Sequence, residues 1–156
     1  MTKVKCAVDV MTKDVFTLRE GDSVRSAWQL FRERNISGAP VVDSNQLLVG
    51  VISQHDLLRA LTKTQTAAFD QQTFYYALPV FGEGFIPEGD GLSPTLDMPI
   101  AEFMNPDVLT VSAQDSVGSV ATLMCRNHIH RVVVADGKKI KGIISVFDLI
   151  GTMESA

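Results

Sequence analysis

Two tetrapeptides of one design hold the residues best suited to chemistry: Ser53-Gln54-His55-Asp56 and Ser145-Val146-Phe147-Asp148. Each follows a glycine and two branched apolar residues, Gly50-Val51-Ile52 and Gly142-Ile143-Ile144. The pattern reads as a short buried strand running into a helix, with a hydroxyl and a carboxylate at the junction. A serine or aspartate in that place can satisfy the free N–H groups of the first helical turn. The same N–H groups, with the positive end of the helix dipole, are expected to make an anion site. Two such junctions in 156 residues point to one unit used twice to build paired sites.

No other constellation suggests a reaction. His55 stands beside Asp56, but the second copy has Phe147 in that slot, which favours a cleft-wall residue over an acid–base pair. His128 and His130 are spaced like metal ligands but have no third partner in sequence, so no metal is expected. Cys125 lies beside the apolar stripe of a helix and reads as inert core. Lys138, Lys139 and Lys141 read as a solvated hairpin. There is no glycine-rich phosphate loop, catalytic triad or zinc pattern, so the chain is not expected to be an enzyme.

The elements that must position the junctions recur as well. Val15-Phe16-Thr17-Leu18 is β-like, and Asp22 or Ser23 is placed to cap a following helix. In that helix Val24, Ala27, Trp28 and Phe31 form one buried face, leaving Arg25, Arg32, Glu33 and Arg34 to solvent. Pro40-Val41-Val42 and Leu47 to Ile52 make a hairpin around Asp43-Ser44-Asn45-Gln46, and Ser53 to Leu61 closes the unit as a helix. Met104, Thr110, Asp115, Ser116 and Leu123 each follow Met11, Thr17, Asp22, Ser23 and Leu30 by 93 positions. Past the hairpin the offset is 92, pairing Gly142, Ser145 and Asp148 with Gly50, Ser53 and Asp56. Polar residues are in register too, so apolar periodicity alone does not explain the match. Two units that cannot bury their apolar faces alone are expected to pack about a pseudo-two-fold axis.

The expected division is a first repeat over 1–61, an inserted connection over 62–98 and a second repeat over 99–156. The insert carries Phe69, Phe74, Tyr75, Tyr76, Phe81 and Phe85 among several prolines and glycines. Thr66 to Ala77 reads as a short helix, and the aromatics must bury on the module or on a partner.

Hydrophobic residues make up 46% and charged residues 21%, a globular balance. No apolar run reaches membrane-span length, and the N-terminus lacks a secretory signal, so a cytoplasmic protein is expected. Two cysteines are too few for a disulfide framework. A net charge of −4 argues against a general nucleic-acid or anionic-membrane surface while leaving room for a local phosphate pocket.

Taken in order and twice over, these motifs resemble a tandem pair of CBS domains, a Bateman module. The first copy carries Met11-x-x-x-Val15-Phe16-Thr17, Asp22-Ser23-Val24, Asn35 to Asp43 and the Gly50 to Leu58 stretch. The second carries Phe103 to Thr110, Asp115-Ser116-Val117, Asn127 to Val134 and the Gly142 to Ile150 stretch. The resemblance implies an α+β fold of two β-α-β-β-α repeats, commonly paired as a homodimer. It further implies clefts between the repeats that bind adenosine compounds such as AMP, ADP, ATP or S-adenosylmethionine.

In such clefts the aspartate of each junction takes the ribose hydroxyls, a role suited to a carboxylate that only accepts. Carried onto this sequence, one cleft is expected to combine Ser53 and Asp56 with Asp107, Val108, His130 and Arg131. Arg131 offers its fork to phosphate, and His130 helps most when protonated. The other is expected to combine Ser145 and Asp148 with Val15, Phe16, Ser37, Gly38 and Pro40, with Lys13 the nearby cation. That second cleft reads as poorer for phosphate. The favoured function is a regulatory module that binds an adenosine nucleotide, needs no cofactor and signals to a separate effector protein. The alternatives are a ligand-free interaction module using the aromatic insert, or an S-adenosylmethionine binder.

Overall fold

The fold is seen in a computed structural model that describes residues 5–62 and 94–153. The expected helix at Thr66–Ala77 and the placement of the insert's aromatics lie outside the described residues.

The first repeat runs through α1 (Ala7–Val10), β1 (Leu18–Arg19), α2 (Val24–Arg34), β2 (Gly38–Val42), β3 (Leu48–Ser53) and α3 (Gln54–Thr62). The second runs through 3-10 turns at Pro94–Asp97 and Ile100–Glu102, then β4 (Thr110–Val111), α4 (Val117–Arg126), β5 (Arg131–Asp136), β6 (Lys139–Ser145) and α5 (Val146–Gly151). Each repeat holds a three-stranded sheet in which the first strand is parallel to the second and the second antiparallel to the third. Both sheets carry a register shift at the same place, between Val41 and Val42 and between Val134 and Ala135.

The caps act as the sequence predicts. Ser23 and Ser116 each accept a hydrogen bond from the backbone N–H three residues on, at 3.1 Å. Val24, Ala27, Trp28 and Phe31 are all buried. Asn35 ends α2 at φ 52°, and His128, its counterpart after α4, sits at φ 53°. Asparagine and histidine tolerate that left-handed conformation better than most residues, so His128 serves a helix end. Two local expectations change. Cys125 is exposed, on the side of α4 turned from the buried Val120 and Met124. Val15 and Phe16 precede β1, which covers only Leu18–Arg19.

The repeats exchange their leading segments. Residues Cys6 to Thr12 lie along the second repeat, with bridges Cys6–Ser116 and Thr12–Ile143. The counterparts Pro99 to Asn105 lie along the first, with bridges Ser23–Pro99 and Val51–Asn105. Shifting either pair by the repeat offset yields the other, which is the pseudo-two-fold relation in atomic terms. The cores follow suit. Ala7 is buried with Val120, Met124 and Ile144, whereas Leu96 and Ile100 are buried with Val24, Trp28 and Phe31. Full burial of a side chain such as Ile100 contributes roughly 1.5–3 kcal/mol, so neither repeat completes its core alone. The hairpins also meet, with Leu48 N–H donating to the Lys138 carbonyl at 2.7 Å.

The stretch 94–98, assigned by sequence to the insert, is built into this core through buried Thr95 and Leu96.

Candidate functional site

Both junctions form closed capping boxes with the same geometry. Asp148 Oδ2 accepts from the Ser145 N–H at 2.7 Å and from its hydroxyl at 2.9 Å, while the Asp148 N–H donates to Ser145 Oγ at 3.3 Å. Asp56 and Ser53 repeat these three contacts. The N–H of Val146 donates to the His130 carbonyl, and that of Gln54 to the Ser37 carbonyl. The anion site expected of these helix starts is therefore partly taken up by the protein's own groups, two N–H groups at each start being bonded within the fold. Side chains are then the stronger source of phosphate recognition at either junction.

One cleft of about 620 Å³ supplies them, within the size range of small-molecule sites. The first repeat contributes Val15, Phe16, Gly38 and Pro40, and the second contributes His130, Arg131 and Ser145. This grouping corrects the expected one, which set His130 and Arg131 against Ser53 and Asp56. Hairpin register is the reason. Arg131 is the direct partner of Ser145 across β5 and β6, as Gly38 is of Ser53 across β2 and β3. The entry of a repeat's middle strand thus lies beside that repeat's own junction, and the other repeat contributes the residues before its first strand.

Other expected residues fall elsewhere. Ser37 is buried, at 1% exposure, and does not line this cleft. Lys13 is exposed and also off the lining. Asp148 is not on the lining itself but is bonded to Ser145, which is. Asp107 and Val108 are also off this lining; they follow Asn105, which exchanges hydrogen bonds with Val51 of β3, and Val108 packs against the core that holds Val132 to Val134. Sequence reasoning missed Thr12, Asp14, Ile36, Ile143, Val146 and Phe147 on the cleft wall. Phe147 was legible in part, as the counterpart of the cleft-wall residue His55.

The wall is mostly apolar, with its positive charge at the β5 entry. Burial lowers the Arg131 pKa below that of a free guanidinium, because desolvation penalises the charged form. A bound anion would offset that penalty. Phe16 is 42% exposed, with the Arg34 guanidinium 4.6 Å from its ring centroid, a cation–π distance. Among the described residues no group of three or more His, Cys, Asp or Glu is placed to hold a metal ion. Among them, too, no helix is long and apolar enough to cross a membrane.

The doubled junction, exchanged segments and inter-repeat cleft agree with a family comparison. The CBS domain profile matches residues 7–63 and 100–155. The chain belongs to the CBS-domain family. Among relatives of this CBS pair, the uncharacterized protein MJ1232 of Methanocaldococcus jannaschii is 31% identical over 143 residues, covering 91% of this chain but 37% of MJ1232. Two further proteins of that organism are likewise matched over only 30% and 42% of their length. The CBS domain pair of protein MJ0100, solved with 5'-methylthioadenosine and S-adenosyl-L-methionine, aligns with a TM-score of 0.68 at 22% identity, covering 98% of each chain. CBSX2, solved in complex with AMP, aligns with a TM-score of 0.69 at 22% identity, covering 96% of each chain.

Proposed function

We propose that this CBS pair is a regulatory sensor of adenosine nucleotides, with AMP, ADP or ATP as ligand and a separate protein as effector. The observation that carries the reading is the meeting of Arg131 and His130 with the apolar wall from Val15 to Pro40 in one cleft. An apolar wall suits a purine, and a guanidinium fork suits phosphate. Ser145 and Asp148 stand beside it to take ribose hydroxyls. The AMP complex of CBSX2 supports the ligand class. The sulfonium complex of MJ0100 keeps S-adenosylmethionine as the second reading, but an arginine in the cleft disfavours a cationic group. Signalling then requires that ligand and effector change each other's affinity equally. Pairing with a second copy belongs to the same reading, and Phe147, Ile150 and Met153 leave apolar surface on and just after α5 for such a contact. An enzymatic role is not part of this reading.

Calorimetric titration with AMP, ATP, adenosine and S-adenosylmethionine tests the proposal. Saturable AMP binding, at least tenfold tighter than adenosine, is expected, because hydrogen bonds to charged groups are worth about 1.5–3 kcal/mol. Preference for S-adenosylmethionine over AMP, or silence from all four, would overturn it.

A further inference from the structure

We infer that the two junctions have divided their roles: the chain takes one adenosine ligand, on the Ser145–Asp148 side, and Asp56 is a structural acceptor. This rests on the nucleotide reading above. The two carboxylates share a capping box but differ in their second oxygen. Asp56 Oδ1 accepts from Arg59 Nη2 at 2.6 Å, so both of its oxygens are engaged. The place of Arg59 in the second repeat is held by Gly151, which has no side chain. Asp148 Oδ1 has no hydrogen bond or ion pair among the described residues, leaving it open to a ligand hydroxyl.

The surroundings differ in the same sense. Ser37, Ser53 and Gln54 are 1%, 0% and 2% exposed. Their counterparts are more open. His130 is exposed, and Ser145 and Val146 are half-buried. A partly exposed ion pair such as Arg59–Asp56 is too weak to exclude a ligand by itself. The burial of three neighbouring residues at the first junction is what closes it. The charge asymmetry agrees, since Arg131 corresponds to Gly38, so only the second repeat brings a cation to its strand entry.

The test is calorimetry of the full chain with AMP, counting sites per chain, on wild type, Asp56→Asn, Asp148→Asn and Arg131→Met, with thermal unfolding of each. One site per chain is expected. Asp56→Asn should lower the unfolding temperature while keeping one site and an AMP affinity within twofold of wild type. Asp148→Asn and Arg131→Met should each weaken AMP at least tenfold, and the second keeps the test open if the first fails to fold. Two sites per chain, or a loss of AMP affinity in Asp56→Asn as large as in Asp148→Asn, would overturn the inference while leaving the nucleotide reading standing. Silence of the folded wild type towards both AMP and ATP would remove that reading and this inference with it.

Discussion

Gly142 lies so close to Met11 that a Cβ on it would stand 2.6 Å from the Met11 Sδ and 2.8 Å from the Thr12 carbonyl oxygen. Gly50 is related in the same way to Met104 and the Asn105 carbonyl, at 2.7 and 2.9 Å. The glycine that opens each junction motif is thus the seat of the segment exchanged from the other repeat. Thr12, the next residue of that segment, hydrogen-bonds Ile143 in both directions, and the chain then passes directly to Val15 and Phe16 on the cleft wall.

Gly142→Ala should therefore destabilise the protein by about 1–3 kcal/mol, the usual cost of forcing atoms into a packed place. The Met11 side chain can turn aside, but the Thr12 carbonyl is backbone and held by the bridge. Displacing it should also weaken AMP binding. Gly118→Ala is the opposite case: it lies in α4 with only Ser116 Oγ near, at 3.9 Å. It should stabilise by roughly 0.5–1 kcal/mol. Urea denaturation of the two variants reads both signs, and equal signs would refute the account.

The burial of Arg131 has a consequence for stability that runs against its use in binding. A base whose pKa is lowered by folding costs stability in its charged form. That cost is full below the folded-state pKa and is relieved as pH rises through it towards the unfolded value. Arg131→Met should leave the melting temperature of the ligand-free protein unchanged or higher, while abolishing the rise in melting temperature on adding AMP. A variant that melts lower yet keeps its AMP shift would show that the arginine serves the fold.

Ser53 and Ser145 make the same three contacts in unequal surroundings, Ser53 being fully buried and Ser145 half-buried. Replacing an N-cap serine with alanine costs about 0.5–2 kcal/mol. Ser145→Ala should fall in the lower part of that range and Ser53→Ala in the upper part, since its loss also leaves polar groups unpaired away from water. Denaturation midpoints with equal slopes decide the order.

Phe31 is fully buried in the first core with Trp28, Ile52 and Ile100. Phe31→Ala should cost about 3–5 kcal/mol. Because Ile100 belongs to the exchanged segment, both repeats should unfold in one transition, followed by the fluorescence of Trp28. Two separated transitions would contradict the shared core.

The repeat, the helix faces, the serine caps and the hairpins were all legible in the amino-acid sequence. Each depends on residues within a few positions of one another or on a register that a duplicated unit prints twice. The Ser-x-x-Asp motif likewise announced its capping box, which closes within four residues. Which cleft receives Arg131 was not legible in that way. It depends on the pairing of Arg131 with Ser145 across a hairpin and on the passage of Thr12 to Phe16 into the other repeat, contacts made across long stretches of chain. Nor does the spacing of Asp56 and Asp148, alike in sequence, disclose that Arg59 and the burial of Ser37 and Gln54 close one junction and leave the other open. Local hydrogen-bonding and periodicity determined the elements, and non-local packing decided which of them share a site.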